Sequence, residues 1–274
     1  MQYVTLNNGL TMPQLGFGVW QVPDDQARSA VEIAIEVGYR SIDTARIYAN
    51  EKGTGQALAA SGLPREELFV TTKLWNDDQG TDKALKAFDA SLDRLGLDYV
   101  DLYLIHWPVP AQDAYVDTWK VLERIAAEGR AKAIGVSNFT EKTLGRLLAE
   151  TDLVPAINQI ELHPYLSQES MRGLNASHGI LTEAWSPLGQ GKGLLDDPVL
   201  VEIGEAHGKS AAQVVLRWHL QLGNVVIPKS VTPSRIAENF DVFDFALSDD
   251  DLNRIGSLDR DGRIGSDPDG FNVV

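Results

Sequence analysis

The chain has 274 residues, beyond the usual domain of about 100–200 but a length at which barrels of alternating strands and helices still fold as one unit. Hydrophobic residues at 43% and charged residues at 23% exclude a disordered, collagenous or fibrous protein. With 24 lysines and arginines against 39 aspartates and glutamates, the net charge of −15 repels nucleic-acid phosphates and anionic lipid.

The chain has no cysteine, which rules out disulfides, thiolate metal sites and cysteine nucleophiles, and no metal site is expected. Met1 to Thr5 carry neither the basic region nor the apolar run of a secretory signal, and no apolar run approaches the roughly 20 residues that span a bilayer. The expectation is a soluble cytoplasmic monomer that acts on a small molecule and binds neither nucleic acid nor membrane.

In chain order, Asn8-Gly9 predicts a tight turn with positive backbone dihedrals between Tyr3–Leu6 and Leu10–Met12, a small hairpin capping one end of the molecule. Gln14 to Gly18 reads as a strand. A helix follows Pro23-Asp24, with Ala27, Ala30, Val31, Ala34 and Ile35 at helical spacing, and another carries Leu85, Phe88, Leu92 and Leu95. Short apolar runs at Leu68–Val70, Val100–Ile105, Ala133–Val136, Ala156-Ile157, Ile180-Leu181 and Val225–Ile227 fit a parallel sheet covered by helices. Thr232-Pro233, a cap residue before a proline, starts a late helix.

These six runs lead to the polar residues Lys73, His106, Ser137, Gln159, Ser186 and Lys229, and with Asp43 before them each stands 22 to 43 residues after the one before. With the strand at Gln14 to Gly18 this makes eight strand–helix units, the count that closes a (β/α)8 TIM barrel, here one domain over residues 1–274. The alternative, a doubly wound sheet, announces itself by a glycine-rich phosphate loop. Gly16-Phe17-Gly18-Val19-Trp20-Gln21 begins that pattern and lacks its last glycine. The stretch Leu188–Gly193 is a flexible candidate for folding over a ligand, and the irregular tail from Asp259 to Val274 is expected to arch over the barrel mouth.

In such barrels the carboxyl ends of the strands form one rim, which makes Asp43, Lys73 and His106 neighbours and brings Tyr48 within reach. An ammonium beside a phenol lowers its pKa toward a range suited to giving and recovering a proton, and a carboxylate keeps the ammonium charged. His106 is then placed to orient a substrate oxygen. Each residue alone has a plainer reading: a helix cap or loop ion pair for Asp43, a packed ring for Tyr48, a structural histidine for His106. Lys73 is harder to dismiss, because a lysine after Val70-Thr71-Thr72 in a sheet buried on both faces needs a partner. Trp20, Trp75 and Trp107 lie beyond strand ends on the same rim and suggest an aromatic substrate cleft, to which Gln190 can add a polar contact. Lys229, Ser230 and Arg235 concentrate positive charge at the start of the last strand's helix, the usual phosphate region of such barrels. His163 reads as structural, and His207 and His219 as partly exposed.

Several strings carry a family resemblance: Asp43-Thr44-Ala45-Arg46-Ile47-Tyr48, Val70-Thr71-Thr72-Lys73, Leu102-Tyr103-Leu104-Ile105-His106-Trp107-Pro108, Gly135-Val136-Ser137-Asn138-Phe139, Asn158-Gln159-Ile160-Glu161 and Ile227-Pro228-Lys229-Ser230. In this order, and over essentially Leu15 to Phe271, the chain resembles the aldo-keto reductases. The resemblance implies NADPH-dependent reduction of aldehydes or ketones, α-dicarbonyls and keto sugars included, with Tyr48 as proton donor, Lys73 and Asp43 tuning it and His106 placing the carbonyl. It further implies Ser137, Asn138 and Gln159 on the nicotinamide amide, Trp185 stacked on the nicotinamide, and Ser186, Leu188, Ser230 and Val231 along the cofactor. Lys229 and Arg235 would hold the 2′-phosphate, and Glu238 and Asn239 the adenine side. Trp185 and the shortness of Leu188–Gly193 make the chain most similar to small bacterial members. Two other readings stand beside this one: a Schiff-base aldolase using Lys73, and a non-catalytic subunit that senses the cofactor.

Overall fold

The computed structural model describes residues 1–273. Strands β1 (Tyr3–Thr5) and β2 (Thr11–Pro13) pair antiparallel as a hairpin. The next eight, β3 (Phe17–Gly18), β4 (Ser41–Asp43), β5 (Phe69–Leu74), β6 (Val100–Ile105), β7 (Ala131–Ser137), β8 (Ile157–Glu161), β9 (Leu181–Trp185) and β10 (Val225–Val226), form one parallel sheet in chain order. Leu15 pairs with Val226, and backbone bonds from Gly16 N to Val226 O at 2.9 Å and from Val226 N to Gln14 O at 3.0 Å close the sheet on itself. This is the expected (β/α)8 barrel with its hairpin.

Helices α1 (Asp24–Val37), α2 (Glu51–Ala60), α3 (Thr81–Leu95), α4 (Tyr115–Ala127), α5 (Glu141–Glu150) and α6 (Glu169–Ser177) each follow one barrel strand from β3 to β8. The longest gap in the strand rhythm holds two helices, α7 (Pro198–His207) and α8 (Ala211–Gln221), and α9 (Pro233–Phe240) and α10 (Asp249–Gly256) follow β10. The apolar stripe of α1 is the one read from its spacing: Ala27, Ala30, Val31, Ala34 and Ile35 are all buried. The helix ends at Gly38, whose φ of +125° disfavours any side chain and where an added Cβ would come within 2.8 Å of the Phe240 ring. Among the described residues no helix is long and apolar enough to cross a membrane.

The hairpin plugs the amino-terminal end of the barrel. Leu6 and Met12 pack with Phe69, Leu102, Leu104, Ala133 and Ile157, and burying each such side chain stabilises the fold by about 1.5–3 kcal/mol. Its turn departs from expectation, since only Gly9 takes a positive φ, +86°, while the Asn8 side chain accepts the Leu10 N–H at 3.1 Å.

Strands β8 and β9 run four residues past the Ile157 and Leu181 ends read from the apolar runs. Polar residues continue these strands because the closed barrel gives them partners. Asn158 and Thr182 face outward and bond Asn175 of α6 at 3.3 and 3.0 Å, while Gln159 and Glu183 face the axis and bond each other at 2.8 Å.

Candidate active site

Three adjacent strands deliver the central group of side chains. Asp43 ends β4, Lys73 stands one residue before the end of β5, and His106 directly follows β6. Lys73 is fully buried; its Nζ donates to Asp43 Oδ1 at 2.5 Å and to the Thr44 carbonyl at 3.0 Å. The short turn Arg46–Tyr48 after β4 hangs the Tyr48 ring over this pair, with Lys73 Nζ 5.2 Å from the ring centroid. His106 stands edge-on to both Tyr48, at 5.7 Å, and Trp75, at 5.2 Å.

Electrostatics divides these groups. Burial presses the Lys73 ammonium toward its neutral form, but the charges of Asp43 and the phenol outweigh burial and hold its pKa above the ordinary lysine value. Burial pushes the Tyr48 phenol up to about 12, although Lys73 pulls the other way. The lowered phenol expected from the sequence is therefore reversed, because removing the phenol from water outweighs one nearby ammonium. Burial, and then the Lys73 charge, hold His106 well below the usual histidine range, so the ring is neutral at pH 7. Its buried Nδ1 has no hydrogen-bond partner among the described residues.

A cleft of about 1190 Å³ opens above this group. Its walls include Trp20, Asp43, Tyr48, Trp75, His106 and Trp107 at one end, and Lys229, Ser230, Arg235, Glu238 and Asn239 at the other. Between them lie Ser137, Asn138, Gln159, Trp185, Ser186, Leu188 and Gln190. The Asn138 amide donates to the His106 carbonyl at 3.0 Å and its oxygen accepts the Trp185 indole N–H at 2.9 Å, locking that ring's edge. Four cleft residues other than glycine, Gln21, Asn138, Ser186 and Gln190, hold positive φ between 49° and 62°. Such strain gathers where a surrounding framework imposes geometry on a site. Lys73 lies beneath the cleft floor, and Val231 is 48% exposed and outside the lining. An ammonium enclosed by Asp43 and Thr44 is not offered to a substrate carbonyl, which removes the support for the Schiff-base reading.

The tail arches over the mouth as expected, and the residues that hold it were not read from the sequence. Both carboxylate oxygens of buried Glu161 accept tail N–H groups, from Ile264 at 2.6 Å and Gly265 at 2.8 Å, and His163 braces the same carboxylate at 3.1 Å. Phe271 stacks on Trp107 at 4.3 Å, and the Asn76 amide donates to the Val273 carbonyl at 2.7 Å. Val274 lies outside the described residues. His207 is partly exposed, whereas His219, expected to be so, is fully buried: α8 turns it inward beside Trp218, and its ring meets the Asn224 amide at 3.4 Å. Glu183 was missed as well, because a polar residue in a short apolar run reads as the end of a strand.

A closed parallel barrel whose carboxyl-end rim places a phenol, an imidazole and a buried ammonium–carboxylate pair at the foot of a long cleft is the architecture of a barrel enzyme. The model of the aldo/keto reductase family matches residues 12–260, and the chain belongs to that family of oxidoreductases. It is 58% identical to an aldo-keto reductase of Mycolicibacterium smegmatis over 271 residues, covering 99% of this chain and 98% of the relative. It is 54% identical to methylglyoxal reductase DkgA of Escherichia coli over 269 residues, covering 98% and 97%. Among solved structures, a mutant of Gox0644 in complex with NADPH superimposes with a TM-score of 0.95 at 49% identity, covering 98% of each chain.

Proposed function

We propose that this chain, working as a single barrel domain, reduces small aldehydes and ketones to alcohols with NADPH, and that Tyr48 is the general acid. The observation that carries this is the convergence of Tyr48, His106 and the Lys73–Asp43 pair at the foot of one cleft whose far end presents Lys229 and Arg235. The cleft suits a long anionic dinucleotide. In an acidic protein neither Lys229 nor Arg235 forms an ion pair among the described residues, so both are available to a phosphate.

In this reading Ser137, Asn138 and Gln159 would hold the nicotinamide amide, Trp185 would pack on the ring, and Ser186, Leu188 and Ser230 would follow the chain of the cofactor, while Val231, outside the cleft, is not assigned to it. Glu238 and Asn239 meet the adenine end. Bound NADPH supplies a hydride to the carbonyl carbon. Tyr48 gives its proton to the carbonyl oxygen, Lys73 and Asp43 stabilise the phenolate left behind, and neutral His106 donates a hydrogen bond that aims that oxygen. Trp20, Trp75 and Trp107 form the apolar walls of the substrate end. That walled end, with no cation among its lining groups, suits neutral carbonyl compounds, and the relative named as a methylglyoxal reductase makes α-dicarbonyls the first class to assay.

Arg235→Ala tests the cofactor end. One charge-assisted hydrogen bond to a phosphate is worth roughly 1.5–3 kcal/mol, so the KM for NADPH should rise about ten- to a hundredfold while that for NADH, which lacks the phosphate, changes little. Equal weakening for both cofactors, measured by quenching of the Trp185 fluorescence, would place Arg235 elsewhere on the dinucleotide. His106→Ala should cost a smaller loss of kcat with an altered order of preference across a panel of aldehydes and α-dicarbonyls, and an unchanged panel would return His106 to a structural role.

A further inference from the structure

Two buried carboxyls meet on the barrel axis with one ammonium to serve them. Asp43 gives one oxygen to Lys73 and turns the other, Oδ2, toward the Gln159 amide at 2.9 Å. The same amide nitrogen donates to Glu183 Oε2 at 2.8 Å, so its two N–H bonds span the space between the carboxyls. Glu183 is 1% exposed and has no ion-pair partner of its own among the described residues. It is also absent from the cleft lining, although Gln159 and Asp43 both belong to it. Glu183 therefore reaches the reacting groups only through others.

We infer that Glu183 is a positioning residue for carbonyl reduction: it holds the Gln159 amide against Asp43, and its protonation sets the charge around Lys73 and Tyr48. The inference rests on the reading of Tyr48, Lys73 and Asp43 as the proton-transfer unit.

The charged groups that face Glu183 are Asp43 from β4, Lys73 from β5 and the phenol of Tyr48 from the turn after β4. Its register partners on the flanking strands, Gln159 of β8 and Val225 of β10, bring no charge. Burial, and then the charge of Asp43, push the Glu183 carboxyl up to about 8, against the Gln159 hydrogen bond and Lys73. Below that pH one carboxylate is balanced by one ammonium. Above it a second buried negative charge appears, competes for Lys73 and pushes the Tyr48 phenol further up. A weaker phenolic acid gives up its proton less readily, so reduction slows as pH rises through this range.

The measurement is kcat for reduction of a small α-dicarbonyl by NADPH against pH, for the wild type, Glu183→Gln and Glu183→Ala. The wild-type rate should fall about three- to tenfold through the region of pH 8, the effect of moving a phenol by roughly half to one pKa unit. Glu183→Gln keeps an acceptor for the Gln159 amide and cannot ionise, so it should lose that fall and leave the Kd for NADPH unchanged. Glu183→Ala should lose the fall and also weaken NADPH binding, because Gln159 is released. A fall that persists in Glu183→Gln overturns the inference. If the variants do not fold, infrared difference spectra of the wild type between about pH 6 and pH 9 should show a protonated-carboxyl C=O band that disappears on raising the pH, and absence of that band overturns it equally. Tyr48→Phe separates the two readings. Near-normal turnover there removes the proton-transfer unit itself, whereas an inactive Tyr48→Phe with an unaltered fall in Glu183→Gln removes only the role of Glu183.

Discussion

Tyr48→Phe should lower kcat for carbonyl reduction by about 10²–10⁴-fold, the usual contribution of a positioned general acid, and leave the Kd for NADPH nearly unchanged. The phenol held at about 12 is protonated throughout the neutral range, so the donor form is fully populated. A developing alkoxide is a stronger base than a phenolate, and transfer remains downhill. Phenylalanine keeps the ring against His106 and over Lys73 but has no proton to give. The Lys73–Asp43 pair, Thr44 and Gln159 still satisfy one another without the hydroxyl, so the variant should fold and melt close to the wild type. Since the lost interaction belongs to the transition state, kcat and kcat/KM should fall together. Near-normal turnover would move the proton donor to another group.

The barrel was legible because its apolar runs recur at strand spacing and because the residues after them share one rim. Asp43, Lys73 and His106 fell into place from that rhythm alone, and three tryptophans in rim loops marked the cleft. What the rhythm hides is the interior polar layer. Gln159 reads as a strand end and Glu183 carries no signal in the sequence, since their satisfaction depends on a partner 24 residues away in sequence and on Asp43 across the axis. The tail contacts were unreadable for the same reason: Glu161 meets Ile264 and Gly265 only after the chain has closed a whole barrel. Burial decides two features that residue type does not show: the helix face of His219 places it inside, and removal from water outweighs the cationic neighbour in setting the phenol's pKa.

Lys73→Met should inactivate the enzyme and also weaken the fold, and the two losses can be separated. Removing one partner of a buried ion pair costs about 3–5 kcal/mol, because the other charge stays buried without compensation. Here Asp43 would face Glu183 across the Gln159 amide with no cation left near either. The sign of the pH dependence follows. In the wild type the Lys73 pKa is raised in the fold, so its stabilisation is fully present below the ordinary lysine pKa near 10.4 and is lost only as pH climbs above that value. In Lys73→Met the controlling group becomes a carboxyl that prefers to be protonated when buried, so stability should recover as pH falls toward about 5 and drop as it rises. Urea midpoints at pH 5 and pH 8 measure this: the gap between variant and wild type should be wider at pH 8. The double variant Lys73→Met/Asp43→Asn removes the orphaned charge, and its midpoint at pH 8 should return most of the way to the wild-type value. Its activity should not return, because nothing then stabilises the phenolate of Tyr48 after proton transfer. A double variant that regained turnover with its stability would show that Lys73 serves the fold alone, and the role of the ammonium in proton transfer would have to be given up.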